Sequence, residues 1–497
     1  MAHDVDQPIA SDAVTNRRDF LLRSVAAAVA AGTASLESSA ASAQASSGKP
    51  AVRPNVIIYI ADQVRADFLG ANQQNTSTRT PNLDAVARRG TRFSTAITNQ
   101  PVCSPSRSVL LTGRYATETQ VWRNANPINP ELPTLAGEFR KAGYTANMIG
   151  KWHLAPKDAA KGGGDGFVRP EFRGGFLDLW EGANEFEWTT HPYEGTIWNG
   201  DGQEIKFSNE NRIEFITDRA VRFLKQQHEK PFLLYVSQLE PHQQNDANNR
   251  MIAPKGYADR FQNPFVPQDL RPLPGNWQQM LPDYYGSIAA IDDSVGRVLK
   301  TLDEQGLTEN TIFIFTSDHG CHFMTRNAEY KRSPHNASIR IPLVAQGPGF
   351  DTGMDLPQVI GNINVMPTLL EAAGLSVPPS VKGKSIMPLL TSAKAREEWK
   401  NAELIQISES MTARAVRTAD WCYCAADRDP KAIDKPSGSV YEEYLFYDEA
   451  GDPYELTNLA GRKEYRQQAS ILSAQLKELI VAAGEPEPEI RPTNLYP

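Results

Sequence analysis

The side chains able to do chemistry stand in a few short, separated stretches of this chain. Cys103 opens the run Cys103-Ser104-Pro105-Ser106-Arg107, which continues into Leu111-Thr112-Gly113-Arg114. A thiol in a Ser/Pro turn ahead of a helix is either a small core residue or a nucleophile, and its neighbours decide which. Asp62, Lys151, His153, His242 and the pair Asp318-His319 each follow closely on an apolar run. Carboxylates and imidazoles together can hold a divalent cation, and lysine or arginine beside them can hold an oxyanion. Singly, each has a plainer reading, an Asp as a helix cap or turn residue and a His as a satisfied structural side chain.

The apolar runs are what give these residues a common address. Residues 55–61, 144–149, 231–238, 311–317 and 341–346 are short, rich in β-branched or aromatic side chains, and read as buried strands. Between them, residues 209–227 place Ile213, Ile216, Val221 and Leu224 near one helical stripe, and residues 282–302 do the same with Ile288, Ile291, Val295 and Leu299. Strands alternating with helices predict an α/β fold with a large, mainly parallel central sheet flanked by helices. In such a sheet, ligands bind beyond the carboxyl ends of the strands, so Asp62, Lys151, His153, His242, Asp318 and His319 should meet in one crevice.

Past Leu390 the pattern changes. Residues 414–424 and 444–448 read as strands around a loop, followed by an acidic turn and a closing helix over 463–482, a smaller antiparallel α+β subdomain. The expected organisation is a leader and linker over 1–50, a catalytic domain over 51–395 and a C-terminal subdomain over 396–497. The stretch 161–202 has no clear periodicity and reads as an insertion beside the site, in which Trp180, Trp188 and Trp198 are either core residues or platforms for a sugar ring.

The motifs resemble those of type I, formylglycine-dependent sulfatases of the alkaline-phosphatase superfamily. The resemblance runs from Arg53 to Leu459 and rests on the Cys103 run, on Arg53-Pro54-Asn55-Val56 leading into Asp62, and on Thr80-Pro81-Asn82-Leu83-Asp84. It also rests on Gly150-Lys151-Trp152-His153-Leu154, Thr316-Ser317-Asp318-His319-Gly320, the segment from Lys331 to Leu343, and Asp452-Pro453-Tyr454-Glu455-Leu456. It implies a sulfuric-ester hydrolase acting on carbohydrate or aryl sulfates, whose Cys103 is oxidised to formylglycine by a formylglycine-generating enzyme. The hydrated aldehyde then attacks sulfur.

The resemblance implies roles for named residues. Asp62, Gln63, Asp318, His319 and the modified Cys103 would hold one divalent metal, calcium or else magnesium, because a sulfate ester needs a hard cation to gather its charge. Arg107 and Lys151 would hold the diol, His242 and Lys331 would assist the leaving group, and His153 would be the base that regenerates the aldehyde. Arg173, His322, Arg332 and His335 are weaker candidates for contacts to the rest of the substrate. The family commonly has Asp-Asp and Asp-Asn where this chain has Asp62-Gln63 and Asp318-His319. The Asp-His pair resembles some carbohydrate sulfatases, and Asp-Gln also resembles phosphonate monoester hydrolases. A phosphonate or phosphate ester hydrolase is therefore the alternative reading, and a catalytically silent sulfatase-like binding protein is a second one.

Composition bounds the rest. A net charge of -8 over 497 residues, with no basic run beyond the N-terminus, argues against a general nucleic-acid binder. Asn16-Arg17-Arg18-Asp19-Phe20-Leu21-Leu22, an Ala-rich stretch from Val25 to Ala34 and small residues around Ala43 and Ala45 resemble a twin-arginine export signal. The expected partner is the twin-arginine translocase, and the expected location is the bacterial periplasm or beyond, with no stable membrane anchor, since the apolar stretch is too short to span a bilayer. Once Cys103 is set apart, Cys321, Cys422 and Cys424 form no disulfide framework. Cys422 and Cys424 read as structural thiols on one strand face.

Overall fold

A computed structural model describes residues 53–158 and 163–494. The export-signal reading falls on residues outside these. Among the described residues, no helix is long and apolar enough to cross a membrane.

An 11-stranded mixed sheet organises the larger part of the chain. Its centre is the strand Asn55–Asp62, which pairs in parallel with Phe232–Pro241 on one side and with Thr311–Ser317 on the other. Thr145–Lys151 continues the parallel run beside Phe232–Pro241. The central strand is buried along its whole length, and its alternate residues serve two cores, as the two-residue period of a strand requires. Ile57, Tyr59 and Ala61 pack with the helices Arg212–Leu224 and Trp277–Glu304, whereas Val56, Ile58 and Ile60 pack with Phe139, Met366 and Leu369 on the opposite face.

The five strands expected from the sequence are present. Leu343–Gln346, however, runs antiparallel to Thr311–Ser317 and bridges to Thr91–Ile97. Thr91–Ile97 and Met354–Gly361, a parallel pair, went unread because partly exposed positions break their apolar runs. The second helix begins at Trp277 and runs through Pro282, so the proline is not its start.

The stretch taken for an insertion joins the same sheet. Trp180–Ala183 extends the parallel run beside Thr145–Lys151, and Glu194–Asn199 then pairs antiparallel to it.

A second, 5-stranded sheet begins at Ala402 and is antiparallel except where Glu489–Arg491 joins Val440–Asp448. The stretch read as one strand over 414–424 is a hairpin of Ala413–Thr418 and Trp421–Ala426. The helix Arg466–Ala482 covers one face of this sheet, while Ile405, Ile407, Ala415 and Cys424 pack with Ile97, Ile339 and Val359 of the larger part.

Candidate active site

Parallel pairing brings the first pair of carboxylates together. Ala61 lies opposite Ser317 in the ladder, so the residues that follow, Asp62 and Asp318, leave neighbouring strands side by side. Two hydrogen bonds lock the exits: Gln63 N–H donates to Asp318 Oδ1 at 3.1 Å, and Val64 N–H donates to Ser317 Oγ at 2.8 Å. Lys151 ends the next strand but one. Its approach depends on Gly150, which has a φ of 108° and where a Cβ would lie 2.0 Å from the Ser237 carbonyl oxygen.

Cys103 is the first residue of a fully buried ten-residue helix, Cys103–Thr112. A helix N-terminus presents unpaired N–H groups and positive potential, a good place for a group that must become anionic. Ser106 Oγ donates to the Asp318 carbonyl oxygen at 2.5 Å and so pins this helix to the strand end. Arg107 reaches both carboxylates, with Nη2 3.2 Å from Asp62 Oδ2 and 3.0 Å from Asp318 Oδ2, and Nη1 donates to Ser237 Oγ.

Around Cys103 Sγ stand Lys331 Nζ at 3.0 Å, His319 Nε2 at 3.3 Å and Asp62 Oδ1 at 3.9 Å. Lys331 Nζ also lies 3.2 Å from His242 Nε2 and 3.4 Å from Gln63 Oε1, while the Gln63 amide donates to Gln243 Oε1. Lys151 Nζ bridges Asp62 Oδ2 at 2.8 Å and Glu187 Oε2 at 3.1 Å. His153, at a φ of 66°, has Nε2 3.3 Å from Glu185 Oε1.

The charges set the protonation states. Burial alone would raise the Cys103 thiol, but Lys331, Lys151 and His319 outweigh it and hold the thiol well below its usual range. Burial and Cys103 push Asp62 up, yet Lys151, His242 and Lys331 prevail and keep it ionised. Asp318 is shifted upward, first by burial and then by the facing Asp62, against His319 and Arg107. Burial would lower His153, but Glu185 and Glu187 win and push it up to about 10, so the imidazole is protonated at neutral pH in this state.

The donor set suits a hard divalent cation. Asp62, Cys103, Asp318 and His319 bring one ligand atom each to within 4.8 Å of one another, all buried. His319 Nδ1–H donates to the Gly320 carbonyl at 2.9 Å, which turns Nε2 toward the two carboxylates. Two carboxylates crowded so that one is forced upward in pKa are relieved by a positive ion between them.

Among the expected site residues, the structure gathers Asp62, Gln63, Cys103, Arg107, Lys151, His153, His242, Asp318, His319 and Lys331 around one point. Arg332 lines the cavity above it. Arg173, His322 and His335 are not brought there. Arg173 donates to Val168 and Gly200 carbonyls and covers the Trp180 ring. His322 Nε2 hydrogen-bonds the Lys331 carbonyl, with burial lowering its pKa to about 4, and His335 is held between Ser333 and Tyr447. Glu185, Glu187 and Ser237 escaped the sequence reading. The one local signal was an acidic pair two apart, Glu185-Phe186-Glu187, in an aromatic stretch.

The sulfatase family model matches residues 54–375, most of the chain. The chain belongs to the sulfatase family. It is a hydrolase of that family, and residues 329–482 also match the C-terminal region of N-sulphoglucosamine sulphohydrolase. It is 28% identical to an ulvan-active sulfatase of Formosa agariphila over 453 residues, covering 87% of this chain and 82% of that one. An arylsulfatase of Clostridium perfringens is 29% identical over 496 residues, 86% of this sulfatase and 95% of its relative. Among solved structures, the Bacteroides thetaiotaomicron glycosaminoglycan-locus protein BT33494S-sulf superposes with a TM-score of 0.75 at 24% identity, covering 87% of this chain and 97% of that one. That likeness shows the fold.

Proposed function

We propose that this sulfatase hydrolyses sulfate monoesters of carbohydrate or aryl alcohols, with Cys103, matured to formylglycine, as its nucleophile. The observation that carries the reading is the set of groups around Cys103 Sγ: Lys331 at 3.0 Å, His319 at 3.3 Å and Asp62 at 3.9 Å, at a buried helix N-terminus. This Sγ marks where the oxygens of the hydrated aldehyde would sit. That hydrate supplies an oxygen nucleophile. A divalent cation, calcium or magnesium, held by Asp62, Asp318, His319 and residue 103, would supply Lewis-acid charge to the non-bridging sulfate oxygens. Gln63 contributes at most a neutral carbonyl.

The chain's own residues do the rest. The attacking hydroxyl at position 103 reacts as its alkoxide, having lost its proton to water; Arg107 and Lys151 offset that charge until it passes to the alcohol oxygen as the new S–O bond forms and the ester S–O bond breaks. His242 and Lys331 deliver a proton to the alcohol oxygen as its bond to sulfur breaks. His153, oriented by Glu185, then accepts the proton of the second hydroxyl at position 103, so that sulfate leaves and the carbonyl returns. As a base His153 must be unprotonated, so it gives up to solvent the proton that Glu185 and Glu187 favour on it before this step.

Peptide mass spectrometry tests the nucleophile, because exchanging thiol for aldehyde lightens the Cys103 peptide by about 18 Da. An active enzyme bearing only unmodified Cys103 would overturn the proposal. Rates on matched aryl sulfates and phosphates separate this function from phosphate or phosphonate ester hydrolysis. Export through the twin-arginine translocase to the periplasm is part of the same proposal, supported by Arg17-Arg18 ahead of the apolar stretch. Replacing both arginines by lysine should leave precursor in the cytosol.

A further inference from the structure

The cavity above Cys103 encloses about 440 Å³, and its walls differ in kind from its floor. The floor is cationic through Lys331 and its neighbours. The walls carry the amides of Asn124, Gln243, Asn245 and Asn249 and the apolar faces of Trp188 and Met324, which are 45% and 38% exposed. Trp180 and Trp198, the other tryptophans of that region, pack into the two cores. An exposed indole beside clustered amides suits a ring bearing hydroxyl or amide groups.

The cations within reach of that wall are already neutralised. Among the described residues lining the cavity, the basic ones are His242 and Lys331, which belong to the reaction centre, and Arg332 on the wall. Arg332 has Nη1 2.7 Å from Glu329 Oε2 and Nη2 3.4 Å from Glu409 Oε1, two carboxylates to one guanidinium. Lys157, which lies over the Trp188 ring, stands 3.6 Å from Glu185 and 3.9 Å from Asp165. Glu187 is engaged by Lys151 on the floor. A second anionic group on the substrate would therefore be desolvated against Glu329 and an Arg332 already paired with two carboxylates, without a free cation on that wall to meet it.

We propose that this site takes sulfate esters of otherwise uncharged alcohols and discriminates against a second anionic substituent beside the ester. The inference rests on the sulfuric-ester hydrolase reading. It places the selectivity in the wall that carries the Arg332 ion pairs and not in the reaction centre.

The test compares 4-nitrophenyl sulfates bearing a carboxamide or a carboxylate at one ring position, so that size is matched and only charge differs. Each kcat/KM is divided by the uncatalysed rate of the same ester to remove leaving-group effects. The carboxamide ester should be favoured by about tenfold or more, the effect of a like charge a few ångström away in a half-solvated pocket. Glu329→Gln, a change at a side chain that is 47% exposed, should narrow the ratio at least threefold by raising turnover of the carboxylate ester alone. Equal rates on the two esters overturn the proposal, and so does a preference that Glu329→Gln leaves unchanged. Failure to cleave either ester would instead overturn the sulfuric-ester hydrolase reading itself.

Discussion

Lys331 Nζ lies 3.0 Å from Cys103 Sγ although 228 positions separate the two residues in sequence. The same ammonium touches His242, so one cation links the proposed nucleophile position to the group proposed to protonate a leaving alcohol. An alkyl or sugar alkoxide departs poorly without a proton, whereas a nitrophenolate departs almost unaided. His242→Ala and Lys331→Ala should therefore slow a sugar sulfate far more than 4-nitrophenyl sulfate, with the sugar loss within about 10²–10⁴-fold. Parallel kcat/KM measurements decide it. Equal losses would assign both residues to sulfate binding.

Thorough chelation should abolish turnover, and added calcium or magnesium should restore it, because the cation gathers the charge of the sulfate oxygens. Asp62→Asn and Asp318→Asn should lower the metal content of the purified protein, read by elemental analysis, and should not be rescued by excess metal. Gln63→Ala should do less harm, since its side chain is engaged by Gln243 and Lys331. Full activity of the metal-stripped enzyme contradicts the assignment.

If Lys151 and His153 have the proposed roles, Glu187, paired with Lys151 and raising the His153 pKa, acts through them. Glu187→Gln leaves Lys151 bonded to Asp62, so the fold should persist, while kcat falls by about tenfold, an oriented charge having been removed. Glu187 raises the His153 pKa, so the limb of the pH–rate profile due to His153 should move to lower pH in the variant. A lower rate with an unmoved profile would reduce Glu187 to a packing role.

Glu403 offers a stability test remote from the reaction. Burial pushes its carboxyl up to about 7, only partly offset by hydrogen bonds from Asn99 and Gly361. A folded pKa above the unfolded value means that its stabilising contribution is complete below about pH 4.5 and is lost as pH rises through 7. The Tm of Glu403→Gln relative to the parent should therefore climb between those values and level off above them, the whole span amounting to about 3 kcal/mol. A Tm difference that does not change with pH would show that Glu403 stays ionised in the folded protein.

The sequence by itself determined which residues stand at the strand ends. Asp62, Lys151, His242 and Asp318 were readable because a buried strand announces itself locally, and in a parallel sheet the residue after each strand faces the same edge. The run from Cys103 to Arg114 was equally local. What neighbours in sequence cannot encode is which distant charge meets which. The bridge from Glu187 to Lys151, the Glu185–His153 pair and the neutralisation of Arg332 by Glu329 and Glu409 all follow from loops folding over the sheet edge. The same holds for the three tryptophans, alike on paper, of which packing buries Trp180, half-buries Trp198 and leaves Trp188 facing the cavity. Tertiary structure likewise decided that His322 and His335 serve the scaffold. Their ring nitrogens meet the Lys331 carbonyl, Ser333 and Tyr447, and burial disfavours the charged imidazole. A residue's type fixes what it can do, and its partners in three dimensions fix whether it does so.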